Sequence, residues 1–317
     1  MIVSKEDQKI NSDEKYKKKV TAKIKELQKK RNAIILAHNY QRDEIQDIAD
    51  VRGDSLALAR AAKDIQQETI VFCGVLFMAE SAAILNPEKL VLLPVREAGC
   101  PLAEMATVEK LRQYRVSYPD AAVVCYVNSA AEIKAESDIC CTSSNAIKVV
   151  QSLPQKRVIF LPDRNLARYV AQHVPEKEII IWPGFCITHM RVTEEEVLKA
   201  KKEHPEAALV AHPECEPEVL RHADCVTSTG GMFSYIKSSP KNEFIITTEQ
   251  GMLYGLKKEN PDKLFFLPSK HLICANMKLT TLGWVLNSLE TLVYEVQVDT
   301  VLREKARGAL DRMLAVT

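Results

Sequence analysis

The stretch AIILAHNY, Ala33–Tyr40, decides how this chain is read, because it returns twice: as AAVVCYVN over Ala121–Asn128 and as AALVAHPE over Ala207–Glu214. The three starts are 88 and 86 residues apart. Each is a short apolar run that ends in polar residues, the pattern of a buried parallel strand whose C-terminal end opens into a site. Ser55, Ser143 and Thr229 keep the same two offsets and stand where a helix can begin. Second strands start at Ile70, Val158 and Phe244, and third apolar runs end at Pro94, Pro183 and Pro268. Proline stops strand pairing because it has no N–H to donate. One cysteine follows each proline: Cys100, Cys186 and Cys274.

The repeated unit is therefore strand, hydroxyl turn, helix, strand, helix, strand, cysteine loop. Alternating strands and helices imply a parallel sheet with right-handed crossovers. The expected fold class is α/β, with three repeated small αβα domains around a pseudo-threefold axis. Residues 1–115 form the first repeat with an N-terminal charged helix, 116–203 the second and 204–279 the third. The amphipathic segment 280–317 (Trp284, Leu286, Leu289, Leu292, Val293, Val296) is expected to pack back on the first repeat.

A net charge of +1 gives no clustered basic excess, which excludes a nucleic-acid footprint. The basic stretch Lys15–Arg31 alternates with apolar residues and reads as the solvated face of a surface helix. No apolar run approaches the roughly 18 residues of a membrane span. The start, Met1–Lys9, is polar and charged, unlike a signal peptide. A soluble, cytoplasmic protein with no membrane partner is expected. Nine cysteines, an odd number, argue in such a chain for metal binding or catalysis before disulfides.

Open α/β sheets bind ligands beyond the carboxyl ends of their strands. Three such domains aiming those ends at a shared axis would bring Cys100, Cys186 and Cys274 together. Thiolates suit zinc, copper(I) or an iron–sulfur cluster. A 4Fe–4S cluster normally takes four cysteines, so three would leave one iron open as a Lewis acid. Cys73, Cys125, Cys140, Cys141, Cys215 and Cys225 read as small core hydrophobes. The repeat also aligns His38, Tyr126 and His212, and two residues on, Tyr40, Asn128 and Glu214. Residues two apart in a strand share a face, so all six are expected to line one cavity. Histidine shuttles protons near neutrality, and tuned Tyr and Glu serve as acid and base. Ser55, Ser143, Ser144, Ser228 and Thr229 are expected at helix starts, as caps or as anion holders. His189 follows Cys186 by three residues, within reach of a metal or a substrate.

The motifs HNY (38–40), GDSL (53–56), FMAES (77–81), GCPLA (99–103), YVNS (126–129), CTSSNA (141–146), LPDRNL (161–166), WPGFC (182–186), HPEC (212–215) and STGGM (228–232) resemble the quinolinate synthase family, in that family's order. The resemblance implies one 4Fe–4S cluster on Cys100, Cys186 and Cys274. It implies condensation of iminoaspartate with dihydroxyacetone phosphate to quinolinate, phosphate and water, within de novo NAD synthesis. An aspartate-oxidising enzyme would supply the unstable iminoaspartate. By the same resemblance, substrate is bound by His38, Tyr40, Ser55, Tyr126, Asn128, Ser143, His189, His212, Glu214 and Thr229. Tyr40 and Glu214 would be the acid and base, supported by His38 and His212. The family's CxxCxxC variant at the third cysteine is absent: Pro268–Cys274 reads PSKHLIC, which puts a thiol switch there in doubt. On the residues alone, another open-cluster hydro-lyase, an iron–sulfur sensor or electron carrier, and a structural zinc protein stay open.

Overall fold

A computed structural model describes residues 14–316. Residues 1–13, including the polar start, lie outside the described residues, as does Thr317.

One sheet design occurs three times. β1 (Ala33–His38), β2 (Val51–Gly53), β3 (Thr69–Cys73) and β4 (Leu90–Leu92) form a parallel sheet in the order β2-β1-β3-β4. β5 (Ala122–Tyr126), β6 (Ile139–Cys141), β7 (Arg157–Leu161) and β8 (Glu178–Ile181) repeat it as β6-β5-β7-β8. β9 (Ala208–Ala211), β10 (Cys225–Val226), β11 (Glu243–Thr247) and β12 (Leu264–Phe266) repeat it again as β10-β9-β11-β12. Helices fill the crossovers, as the α/β reading expects. The fourth strand of each sheet, β2, β6 or β10, is two or three residues long. It is too short to leave a periodic signal, so the sequence reading has three strands per repeat where the structure has four.

Two side-chain devices recur with the repeat. Asp50, Asp138 and Asp224 stand just before the short edge strands. Each accepts the backbone N–H of the neighbouring central strand, from Ile35 at 2.8 Å, Val123 at 2.7 Å and Leu209 at 2.7 Å. Lys89, Lys177 and Lys263 stand before the other edge strands and each donates to two backbone carbonyls. Both devices satisfy backbone groups near the N-terminal ends of strands, the aspartates within the central strand and the lysines in the chain before β3, β7 and β11.

The chain divides into two compact units. The first comprises the described residues up to Cys100 with Ala275–Val298. In it, the helices Glu14–Lys30 and Leu282–Thr291 cover the sheet, burying Val20, Ile24, Leu27, Leu282, Val285 and Leu289 against Ile35 and Ala37. The second comprises Pro101–Cys274 with the chain from Asp299 on. The segment after Thr280, read from the sequence as one return to the first repeat, is two helices. The first ends at Leu292, a left-handed residue at φ 54°. The second, Thr300–Ala315, is capped by Asp299 and packs in the second unit on β6 and the helix Ala131–Ala135. It buries Ala306, Ala309, Leu310 and Met313. The apolar stripe read from the sequence lies before Val298, so it carries no information on this last helix. Among the described residues no helix is long and apolar enough to cross a membrane.

Candidate active site and metal ligands

In the second unit, polar residues gather at the C-terminal ends of the strands. β9 ends at Ala211, and the next turn presents His212 and Glu214, both buried. The Glu214 backbone N–H donates to His212 Nδ1 at 3.3 Å, bending the turn so that its carboxylate comes back to the imidazole at 3.1 Å. His212 Nε2 lies 3.2 Å from Ser143 Oγ, a contact between the second and third repeats. Ser144 and Ser228 add a second one, Oγ to Oγ at 2.7 Å. Ser228 also caps the helix Thr229–Ser238 by accepting from Gly231 N–H, and buried Thr229 is that helix's first residue.

His189 completes a buried group. Its Nδ1 is 3.3 Å from the Glu214 carboxylate and 3.2 Å from Cys186 Sγ, and its ring stacks on His212 with centroids 4.7 Å apart. Its Nε2 is 2.8 Å from Thr248 Oγ1. Burial lowers the His189 pKa to about 4, with Glu214 opposing and His212 adding to the shift. His189 is thus a neutral imidazole near pH 7, with one nitrogen donating and the other accepting. One ligand atom each from Cys186, His189 and Glu214 lies within 4.8 Å of the other two. Asn128, two residues past the end of β5, has a buried Oδ1 with no hydrogen-bond partner among the described residues. A buried polar atom is rarely left so unless something else satisfies it.

The cysteine loops are built alike. The N–H of Leu76, Arg164 or Gln250 donates at 2.8 Å to the carbonyl two residues before the cysteine, at Ala98, Gly184 or Leu272. Cys100, Cys186 and Cys274 are partly buried, whereas Cys73, Cys125, Cys140, Cys141 and Cys215 are fully buried and Cys225 is partly buried. Gly184 has no room for a side chain, since a Cβ there would meet the Pro162 carbonyl oxygen at 2.5 Å. Gly184→Ala must therefore displace backbone beside Cys186. It is expected to cost about 1–3 kcal/mol in urea unfolding and, with Cys186 as the expected metal ligand, to lower metal loading. Unchanged values in both measurements would show that the loop tolerates the shift.

In the first unit, His38 ends β1 and repeats the third-repeat turn: Tyr40 N–H donates to His38 Nδ1 at 3.2 Å. The His38 and Tyr40 rings meet edge to face at 4.6 Å. Lys278 donates to the Tyr40 carbonyl, and Arg42 Nε donates to the Lys278 carbonyl at 2.7 Å. Ser55 opens the helix Ser55–Lys63, whose cap is Asp54, accepting from Ala57 N–H at 2.8 Å. Asn276 Nδ2 holds the Gly99 carbonyl at 2.8 Å beside Cys100.

Of the residues singled out by sequence, Ser143, Cys186, His189, His212 and Glu214 form one connected group in the second unit. Tyr126 ends β5 and is buried. His38, Tyr40, Ser55 and Cys100 belong to the first unit. The sequence reading missed Thr248, Asp163 and Glu249. Asp163 and Glu249 are fully buried and stand 86 residues apart, so the repeat offset could have found them. Burial and the neighbouring Glu214 push the Asp163 carboxyl well above the usual range, against the N–H groups of Leu166, Cys186 and Asn165.

Comparison with known proteins bears on what this site does. Residues 22–315 match the family profile described as quinolinate synthetase A protein. The chain is 56% identical over 293 residues to a quinolinate synthase of Alkaliphilus metalliredigens, covering 92% of this chain and 97% of the relative. It is 53% identical, with the same coverage, to a quinolinate synthase of Clostridium kluyveri. It is 56% identical, again with that coverage, to a quinolinate synthase of Methanoregula boonei. A profile match over nearly the whole chain, with relatives this similar end to end, means that the chain belongs to the quinolinate synthetase A family of enzymes.

Proposed function

We propose that the chain condenses iminoaspartate with dihydroxyacetone phosphate, giving quinolinate, phosphate and water, as the quinolinate-forming step of cytoplasmic NAD biosynthesis. The observation that carries this reading is the buried His212–Glu214–His189 group against Cys186 in a chain of this family. The cofactor proposed is a 4Fe–4S cluster with Cys100, Cys186 and Cys274 as its ligands. The donor chemistry fits: three thiols at equivalent loop positions, each after a proline that stands two residues beyond the last strand of its sheet, and each only partly buried. The chemistry such a cluster supplies when bound is Lewis acidity at the iron that has no protein ligand.

The chain's own residues do the rest. Glu214, between two imidazoles, can take a proton and pass it to His212. Thr248 fixes the orientation of His189 by holding Nε2, so Nδ1 stays aimed at Glu214 and Cys186. Ser143 supplies a hydroxyl to His212 and to a substrate carboxylate. Asn128 offers its buried amide oxygen to a donor on the substrate. Tyr126, Thr229, Ser55 and His38 complete substrate binding, and Tyr40 is the second proton-transfer group. An aspartate-oxidising enzyme must work alongside, because iminoaspartate hydrolyses in water.

A second reading has one observation behind it. Cys186, His189 and Glu214 form a donor set that a single zinc ion could take. Both readings are tested by assaying anaerobically purified protein for quinolinate from aspartate, an aspartate oxidase and dihydroxyacetone phosphate. Quinolinate from a brown sample is expected. A brown sample that forms none points to another hydro-lyase, and a colourless, zinc-loaded sample points to the second reading.

A further inference from the structure

Two buried carboxylates outside the proposed machinery are tied to cysteine loops. Asp163 follows β7 and caps the helix Arg164–His173: its Oδ1 accepts from Asn165 N–H at 3.0 Å and Leu166 N–H at 2.7 Å. Its Oδ2 accepts from the backbone N–H of Cys186 at 3.0 Å. Glu249 holds the equivalent place after β11. It accepts from Gly251 N–H at 2.7 Å through Oε2 and from Cys274 N–H at 3.2 Å through Oε1. Both side chains are fully buried. The position 88 residues before Asp163 is Val75, whose hydrocarbon side chain cannot accept a hydrogen bond. All three loops share the 2.8 Å backbone anchor, and the loops of Cys186 and Cys274 add a carboxylate to it.

Burying a carboxylate is costly, and neither is needed to close the sheet, since the first repeat closes with valine. Each has one oxygen on the turn that starts the following helix and the other on a cysteine N–H. The carboxylate thereby fixes the cysteine's backbone to the sheet on which the loop is built. We infer that Asp163 and Glu249 are positioning residues of the metal site, holding Cys186 and Cys274 in place through their backbone N–H groups. This rests on the proposed cluster reading.

The amide variants isolate the bond in question. In Asp163→Asn, the remaining oxygen can still accept from Asn165 and Leu166, so the helix cap survives. The new NH2 then faces the Cys186 N–H, donor against donor. Glu249→Gln does the same at Cys274 while keeping the bond to Gly251. Asp224→Asn is the control: it replaces a carboxylate that also accepts a backbone N–H, from Leu209, at a strand start.

The experiment uses anaerobically loaded full-length protein. It measures iron release to a chelator, the EPR signal of the reduced cluster, and the thermal midpoint. The expected result is release about 10- to 100-fold faster in Asp163→Asn and Glu249→Gln, with an altered EPR line shape. Asp224→Asn should keep wild-type release and signal even if its thermal midpoint falls. Should Asp163→Asn fail to fold, Glu249→Gln, which leaves no helix cap at risk, decides the matter alone. Wild-type release and an unchanged EPR signal in a folded amide variant would overturn the inference and leave the cluster reading standing. A wild-type protein that takes up no iron overturns both.

Discussion

Cys186→Ala protein, prepared without oxygen, is expected to fold as the wild type does, to be colourless or nearly so, and to form no detectable quinolinate. The fold should survive because the loop's backbone bonds do not involve the thiol: Cys186 N–H reaches Asp163, and Gly184 accepts from Arg164. The side chain is small and only partly buried, so the cavity left is minor and the stability loss is about 1 kcal/mol or less. The proposed cluster should not survive, because two thiolates cannot replace three in holding 4Fe–4S. Far-UV circular dichroism and iron analysis on one sample separate the two effects. A variant with full iron and full turnover would remove Cys186 from the ligand set and leave His189 beside it without an explanation.

Glu214→Gln is expected to do the converse, keeping iron and losing turnover. Glutamine matches glutamate in volume and keeps one oxygen to accept from an imidazole. It cannot take up or release a proton, so the proposed proton transfer is removed. The loss should be about 10²- to 10⁴-fold in kcat, with a much smaller change in KM. His189 stays neutral down to about pH 4, so its own titration should add no step to the pH profile of turnover between about pH 5 and 8. Unchanged turnover with an intact cluster would show that Glu214 only positions its neighbours. Equal loss of iron and activity would instead make it a metal-site residue, as its proximity to Cys186 allows.

Much of this was legible in the sequence for a definite physical reason. Three copies of one supersecondary unit, offset by 88 and 86 residues, align residues that a single copy could not distinguish from ordinary strand ends. His38 and His212 illustrate it, since each accepts an N–H from the residue two positions on in the same local turn. The edge strands β2, β6 and β10 were not legible, because two or three residues carry no period. Nor was the separate placement of the helix Thr300–Ala315, whose apolar residues lie beyond the stripe that drew attention. Ser55 and Thr229 show a finer limit. Both open helices, but the capping bonds are made by Asp54 and Ser228, one residue earlier. The pattern finds the turn, while backbone geometry chooses which side chain caps it. Thr248 could not be found from the sequence at all, because its role depends on where His189, 59 residues away, happens to point.

The most direct test is iron and acid-labile sulfide analysis of anaerobically purified wild-type protein, followed by the quinolinate assay on the same sample. About four iron and four sulfide per chain, with quinolinate formed in proportion to cluster content across partly loaded preparations, is the predicted result. Folded protein that cannot be loaded with iron, or quinolinate formation indifferent to iron content, would contradict it.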